Sequence, residues 1–263
     1  MLGAIIGDIV GSVYEMDNYR GKDFSPLFHP QARFTDDTVC TVAVADALIN
    51  HLDPAEALKN WGRRYWDKGG WGEGFAQWLQ ADSTQPYGSF GNGAAMRVSP
   101  AGILGSSIDE VRDYAEEVTA VTHNHPEGLK GAEATALCIF FCRHRFEPDM
   151  IKKIIADRTG YDLERKVEAI RESYVFDATC QGSVPEALIC AFEADDYEDA
   201  LRNAVSIGGD SDTIACIAGA VAEARFGIPE EIAERGASYL SDEMKKVLAV
   251  LYARSGAPLP IKL

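Results

Sequence analysis

The chain has 263 residues, of which 46% are hydrophobic and 25% are charged, as in ordinary soluble globular proteins. Its formal net charge of −16 argues against broad binding to nucleic acids or anionic membranes, because polyanions would be repelled. No apolar run reaches the roughly 20 residues that a membrane span needs. The amino-terminal stretch lacks basic residues and contains Asp8, which argues against a signal peptide. We therefore expect a cytoplasmic protein that does not enter membranes.

Helical patterns follow one another along the chain, and no alternating run predicts a confident strand. The first apolar segment carries Gly3, Gly7 and Gly11, which would let a neighbouring helix approach closely. Apolar spacing and capping residues predict further helices over residues 53–70, 107–121, 126–145, 147–160, 183–194, 196–207, 212–227 and 241–256. No linker divides the chain, so residues 1–263 are predicted to form one compact all-α domain.

Four irregular stretches interrupt these helices, at residues 19–34, 82–97, 122–128 and 178–185. Loops that a rigid helical scaffold carries are where binding and catalytic residues usually lie. We therefore expect the functional site to draw on these segments.

Paired carboxylates occur twice, each time directly before an apolar, alanine-rich segment. "FTDDTVCT" contains Asp36 and Asp37, and "IGGDSDTIACIAGA" contains Asp210 and Asp212. A single Asp at such a position is typical of a helix cap. The repetition of the pair, each time with a threonine beside it, indicates a function beyond capping.

If the two helix starts meet, four carboxylates share a small volume and cannot all stay ionised without compensation. The partial positive charge at two helix N-termini is worth about 1 kcal/mol each, which is too little. A hard divalent cation would solve the problem, and carboxylate with hydroxyl ligands favours Mg²⁺, Mn²⁺ or Ca²⁺ over zinc. Thr35, Thr38 and Thr213 offer the hydroxyls.

The stretch "GSFGNGAAMR" is the second candidate site. Its three glycines permit close approach of the backbone to a ligand, so a phosphate cradle is one interpretation and a plain glycine-rich turn is the other. Phe90 lies between glycines, where a base-stacking surface is an alternative to a core residue. In "THNHPEG", His123 and His125 are either site residues or structural histidines, and Glu15 alone indicates no role.

Taken together, the motifs resemble those of the ADP-ribosylglycohydrolase family. "GDIVGSVYE", "FTDDT", "SFGNGAAMR", "THNHPEG", "GSVPEAL" and "IGGDSDTIACIAGA" occur in the order expected of that family, from about residue 3 to residue 227. The third and fifth motifs look closest to the branch whose vertebrate members remove ADP-ribose from serine. The resemblance implies an all-α orthogonal bundle with two Mg²⁺ or Mn²⁺ ions at its centre.

The resemblance also implies roles for individual residues. The implied metal ligands are Thr35, Asp36, Asp37, Asp210, Asp212 and Thr213, and the implied catalytic residues are Glu15, Asp36 and Asp212. Ser89, Gly91 and Asn92 match diphosphate-binding positions, Phe90 matches an adenine-stacking aromatic, and His123 matches a residue near the distal ribose. Arg97 is a further contact or a structural residue.

These expectations define a hydrolase that releases ADP-ribose from an acceptor such as a modified protein side chain. Two alternatives stay open: a catalytically silent ADP-ribose-binding or structural protein on the same scaffold, and a hydrolase of small ADP-ribosylated metabolites. The expected partners are ADP-ribose or ADP-ribosylated substrates, and the expected oligomeric state is a monomer.

Overall fold

The computed structural model describes residues 1–15 and 17–261. In chain order its helices are α1 (Leu2–Gly11), α2 (Asp36–Asn50), α3 (Pro54–Arg64), α4 (Glu73–Gln80), α5 (Gly93–Met96), α6 (Ser99–Leu104), α7 (Ile108–Ala120), α8 (Pro126–Arg143), α9 (Pro148–Thr159), α10 (Val167–Ser173), α11 (Cys180–Glu193), α12 (Tyr197–Ser206), α13 (Ser211–Phe226), α14 (Glu230–Ala237) and α15 (Asp242–Ser255). Within the described ranges the extended pairing is one isolated bridge, between Gly91 and Thr179. The all-α prediction is confirmed.

Helices α1 and α13 form the centre of the structure, and both are buried along nearly their whole length. They run antiparallel in close contact: a Cβ atom added to Gly3, Gly7 or Gly11 would lie 2.0–2.4 Å from a backbone oxygen of α13. A side chain at any of these positions would push the helices apart, so the predicted close approach is confirmed. The C-terminal end of α1 therefore meets the N-terminal end of α13.

Two predicted boundaries were wrong. The helix that starts at Pro54 ends at Arg64, and a 3₁₀ turn over Trp66–Lys68 follows it. The chain leaves the helix at Tyr65, whose hydroxyl group is 2.7 Å from Oγ of Ser241 and from Oε1 of Glu243. Tertiary contacts of this kind override a continuous helical pattern.

Helix α11 begins at Cys180, before the predicted start at residue 183, because Thr179 caps it by accepting a hydrogen bond from the backbone N–H of Gly182. Five further helices, α4, α5, α6, α10 and α14, were not predicted; each has at most eight residues. Short helices carry little periodicity, so the sequence pattern gives only a weak signal for them.

Among residues 1–15 and 17–261, no helix is both long enough and apolar enough to cross a membrane.

The starts of α2 and α13, the loop before α5 and the loop before α8 meet around one cavity. This convergence places the predicted motifs around one cavity.

Candidate metal and ligand site

A cavity of about 400 Å³ lies where these helix starts and loops converge. Its lining includes most of the predicted site residues, which are Glu15, Asp36, Asp37, Ser89, Gly91, Asn92, Arg97, His123, Asp210, Asp212 and Thr213. Segments far apart in sequence thus supply carboxylates, a glycine-rich loop and an imidazole to one volume.

The start of α2 carries Asp36 and Asp37 into the cavity, and a different residue caps the helix. Thr35 is the N-cap, and its hydroxyl oxygen accepts from the backbone N–H of Asp37 at 3.4 Å. Because Thr35 satisfies the helix end, neither aspartate of the pair is needed as its cap. The Asp37 Oδ1 atom is buried and has no hydrogen-bond partner among the described residues.

Asp8 holds this helix start in place, although the sequence patterns did not single it out as a site residue. Its carboxylate accepts from the backbone N–H of Thr35 at 2.9 Å and from that of Thr38 at 3.0 Å. Both threonine hydroxyls also donate to it, that of Thr35 at 2.8 Å. Asp8 is fully buried on α1. The sequence feature that could have indicated this role is an acidic residue inside an otherwise apolar helix.

The start of α13 presents the second pair. Gly208 and Gly209 adopt φ angles of 74° and 73°, which glycine tolerates far better than other residues. This turn leads into Asp210, the N-cap residue, whose side chain makes no capping hydrogen bond. Asp210 Oδ2 instead accepts from the side-chain amide of Asn92 at 2.7 Å. Asn92 therefore orients a carboxylate, a contact that the sequence prediction of diphosphate binding did not include.

Glu15 lies beside this second pair. One carboxylate oxygen from each of Glu15, Asp210 and Asp212 can be chosen so that all three lie within 4.8 Å of one another. Partial burial and then repulsion from Asp210 raise the pKa of Glu15, while Arg33 opposes the shift. A residue that the sequence alone left without a role thus belongs to an acidic cluster.

The electrostatics of the cavity are unfavourable to its own carboxylates. Burial, followed by repulsion from neighbouring carboxylates, raises the pKa of Asp36, Asp37 and Asp212 well above the usual range. Among the described residues that line the cavity there is one arginine, Arg97, and no lysine. Six carboxylates line the cavity, those of Glu15, Asp36, Asp37, Glu73, Asp210 and Asp212. One guanidinium cannot balance them.

Divalent cations fit this donor set. The three clustered carboxylates and the unpartnered Asp37 Oδ1 are hard oxygen ligands of the kind that Mg²⁺ and Mn²⁺ bind. Thr213 adds a hydroxyl group 3.4 Å from Asp37 Oδ2. Thr35 is not among the lining residues, because its hydroxyl group faces Asp8.

The glycine-rich loop, residues 88–93, also lines the cavity. The hydroxyl oxygen of Ser89 accepts from the N–H of Gly91 at 3.2 Å, which folds the loop into a tight turn. The backbone of this loop is anchored on the segment that leads into α11, since the N–H of Asn92 donates to the carbonyl of Ala178 at 2.8 Å and the carbonyl of Phe90 accepts from the N–H of Cys180 at 2.9 Å. The structure places Phe90 outside the cavity lining; its ring is 42% exposed and lies 5.1 Å from that of His125.

Several lining residues were not predicted from the sequence. Gly70 packs directly against Asp36, since a Cβ atom there would lie 2.0 Å from the Asp36 Oδ1 atom. Tyr87 and Phe176 line the cavity with 39% and 56% of their surfaces exposed. Exposed aromatics in irregular segments were the signal that could have identified the latter two.

Comparisons with known proteins identify relatives of this chain. The sequence model of the ADP-ribosylglycohydrolase family matches residues 1–257. An uncharacterized protein of Archaeoglobus fulgidus is 30% identical, over 88% of this chain and 88% of its own. The ADP-ribosylhydrolase ARH3 of Danio rerio is 25% identical, over 87% of this chain and 82% of its own. A solved "ADP-ribosylglycohydrolase-related protein complex" shares the fold with a TM-score of 0.69 at 21% identity, covering 97% of each chain.

Proposed function

Because this chain belongs to the ADP-ribosylglycohydrolase family, whose members are ADP-ribosyl hydrolases, we propose that it is a metal-dependent hydrolase of ADP-ribosylated substrates. The bond cleaved joins the anomeric carbon of the distal ribose to an acceptor atom, and free ADP-ribose is released. The observation that carries this proposal is the carboxylate cluster of Glu15, Asp210 and Asp212, which lines one cavity together with Asp36 and Asp37.

Two divalent cations, Mg²⁺ or Mn²⁺, are the proposed cofactors. The residues that would hold them are Asp36, Asp37, Asp210, Asp212 and Thr213, with Glu15 beside them. Thr35 would either support the site through its hydrogen bond to Asp8 or rotate its side chain so that its hydroxyl group reaches a cation. When bound, the cations supply Lewis-acid chemistry and neutralise the carboxylates.

The chain's own residues position the sugar and move the proton. Hydrolysis breaks the bond between the anomeric carbon and the acceptor, forms a bond from that carbon to a water oxygen, and transfers one water proton to the acceptor. Glu15 is the proposed proton carrier, since it is half-buried at the cavity and its pKa is raised by burial. Asp36 and Asp212 would orient the ribose from the two sides.

The glycine-rich loop is the proposed diphosphate site. Ser89, Gly91 and Asn92 line the same cavity as the carboxylates, and backbone N–H groups in such a turn can bind phosphate oxygens. Phe90 would stack on adenine at the rim, outside the cavity lining. His123, which also lines the cavity, would contact the distal ribose.

A panel of ADP-ribosylated acceptors tests the proposed function. Serine-linked and arginine-linked proteins and small ADP-ribosylated guanidines would be incubated with the protein, Mg²⁺ or Mn²⁺, and then with a chelator. Release of free ADP-ribose that the chelator abolishes supports the proposal, and the preferred acceptor identifies the substrate class. If ADP-ribose binds but is released from no acceptor, the protein is the catalytically silent alternative.

We also propose that residues 1–263 act as one domain and as a monomer. Sedimentation analysis would give a single species near the 28.6 kDa chain mass. A dimer mass at micromolar concentration would contradict this proposal.

A further inference from the structure

Arg97, Thr122 and His123 form a buried chain of contacts beside the cavity. Arg97 and Thr122 are completely buried, and His123 is 4% exposed. Arg97 Nη2 lies 2.6 Å from Oγ1 of Thr122, and that hydroxyl oxygen lies 2.8 Å from Nδ1 of His123. The same Nη2 atom is 3.4 Å from Nδ1. One side of the imidazole is therefore enclosed by a guanidinium and a hydroxyl group.

The other ring nitrogen, Nε2, faces the glycine-rich loop. A Cβ atom built on Gly93 would lie 3.2 Å from Nε2, and one built on Gly91 would lie 3.6 Å from it. Both glycines and His123 line the cavity. Among the described residues, no hydrogen bond joins Nε2 to the protein, so this atom is available to a ligand.

The chemistry of the chain fixes which nitrogen carries the proton. A guanidinium can only donate hydrogen bonds, so Oγ1 of Thr122 accepts from Arg97. The hydroxyl hydrogen of Thr122 then needs an acceptor, and Nδ1 of His123 is the acceptor within reach. A buried hydroxyl group without an acceptor is destabilising. Nδ1 is therefore unprotonated, and a neutral ring must carry its hydrogen on Nε2.

The opposite tautomer is disfavoured twice. A hydrogen on Nδ1 would leave the hydroxyl hydrogen of Thr122 without an acceptor in this buried position. It would also point at a guanidinium nitrogen 3.4 Å away, which itself only donates. Both contacts require a lone pair on Nδ1.

The charges around the ring favour its neutral form. Burial and then the charge of Arg97 lower the pKa of His123 well below its usual value. Tyr87, which directly precedes the glycine-rich loop, also lies near the ring, with ring centroids 6.1 Å apart. Burial raises the pKa of that phenol. Near neutral pH both groups are uncharged, so Arg97 is the charge that acts on the imidazole.

We propose that Arg97 and Thr122 are positioning residues that hold His123 as the neutral Nε2–H tautomer, so that Nε2 donates a hydrogen bond to an oxygen of the bound ADP-ribosyl group. The identity of that ligand rests on the proposed function, whereas the tautomer does not. A lone pair on Nε2 would repel phosphate oxygens, and it could only accept a hydrogen bond from a ribose hydroxyl group. The hydrogen bonds from Arg97 to Thr122 and from Thr122 to His123 disfavour the Nδ1–H tautomer already in the ligand-free protein.

Nuclear magnetic resonance of the ¹⁵N-labelled histidine rings tests the tautomer without substrate. Long-range proton–nitrogen correlations distinguish the two tautomers and the imidazolium, and His123→Asn assigns the signal. We expect the Nε2–H pattern throughout the range from about pH 6 to pH 8, where an unperturbed histidine would titrate. An Nδ1–H pattern, or an imidazolium at pH 7, would overturn the proposal.

Thr122→Val removes the hydroxyl group, and Thr122→Ser keeps it. Without the hydroxyl group, we expect the second tautomer to appear and the affinity for ADP-ribose to fall about tenfold, the value of roughly one hydrogen bond. The serine variant should restore both. Thr119→Val is the matched control, because the buried hydroxyl of Thr119 has no partner among the described residues; its spectrum and affinity should match those of the unmodified protein.

The two proposals fail separately. If no acceptor is hydrolysed but the Nε2–H pattern is present and depends on Thr122, the proposed function fails and the positioning role stands. If hydrolysis occurs but Thr122→Val leaves tautomer and affinity unchanged, the positioning role fails alone. Should the valine variant not fold, the spectra of the unmodified protein and of Thr122→Ser still decide the outcome.

Discussion

Both ends of α13 carry charged side chains, which are partly buried at the C-terminal end and buried at the N-terminal end. Only the C-terminal end satisfies them within the protein. At the C-terminal end, Glu223 accepts from the N–H of Gly3 at 2.8 Å and from the Tyr252 hydroxyl group. Arg225 Nη1 donates to the carbonyls of Ala191 and Phe192 at 2.9 Å. At the N-terminal end, Asp212 faces other carboxylates and its pKa is raised.

Cavity size does not separate these two ends. The cavity beside Glu223 and Arg225 has about 490 Å³, and the acidic cavity has about 400 Å³. The two ends differ in whether their charged side chains have partners within the protein. Charged groups that the fold pairs are structural, whereas charged groups that it leaves unpaired indicate a ligand. The following changes test that distinction, from the largest expected effect to the smallest.

Asp212→Asn should affect activity most. It removes a carboxylate from the proposed cation site, so we expect kcat/KM to fall by at least about 10³-fold, as when a main electrostatic contributor to catalysis is lost. The metal-free protein should nevertheless melt at a higher temperature, because a buried charge that its neighbours repel is gone. Kinetics and a thermal scan with chelator measure the two effects. Unchanged hydrolysis with an intact fold would contradict the proposed site.

Glu223→Gln is the converse change at the satisfied end. The carboxylate accepts from three donors, which are the N-terminal ammonium group of Met1, the N–H of Gly3 and the Tyr252 hydroxyl group. The amide has one accepting oxygen and no charge, so the ion pair with the N-terminus is lost and at least one donor loses its partner. We expect unfolding to become easier by about 1–3 kcal/mol, with kcat/KM unchanged at a temperature where the variant is folded. A large loss of activity in folded protein would show that the two ends are not separable.

Asp8→Asn should have an intermediate effect on activity. Asp8 accepts from both the backbone and the hydroxyl groups of Thr35 and Thr38, and an amide cannot accept all four hydrogens. The start of α2 should shift, so we expect kcat/KM to fall about tenfold. Chelator-dependent release of ADP-ribose measures the change. Full activity would mean that Asp8 stabilises the helix without positioning Asp36 and Asp37.

Phe90→Ala should cause the smallest change in free energy of the four substitutions, and the change should be in ligand binding. If the exposed ring stacks on adenine, its loss should weaken ADP-ribose binding about fivefold, or roughly 1 kcal/mol, with little change in kcat. Phe146→Ala is the matched control, since Phe146 is 40% exposed against 42% for Phe90 and lies outside the cavity lining. Calorimetric titration with ADP-ribose compares the two. Equal affinities would remove Phe90 from the ligand site.

Much of the fold could be predicted because long buried helices leave a clear pattern. The apolar run of α13 and the glycine spacing of α1 are properties of single segments, and the glycines predict that some helix approaches α1 closely. That this helix is α13 is known only from the structure. The end of α3 at Arg64 could not be predicted, because it depends on contacts of Tyr65 with Ser241 and Glu243, far along the chain.

The site shows the same division. The two aspartate pairs carried their own signal, since repeated carboxylates before apolar helices are costly without a cation. Asp8 carried almost none, because its role depends on where Thr35 and Thr38 lie relative to α1. The orientation of Asn92 toward Asp210 is likewise a property of the folded chain alone.

Counting bound cations tests the central claim most directly. Equilibrium dialysis of the chelator-treated protein against Mn²⁺, with Asp212→Asn beside it, measures the stoichiometry without any assumption about the substrate. We predict two ions per chain for the unmodified protein and weaker or fewer ions for the variant. Binding of no Mn²⁺, or equal binding by both proteins, would contradict the assignment of the acidic end of α13 as a cation site.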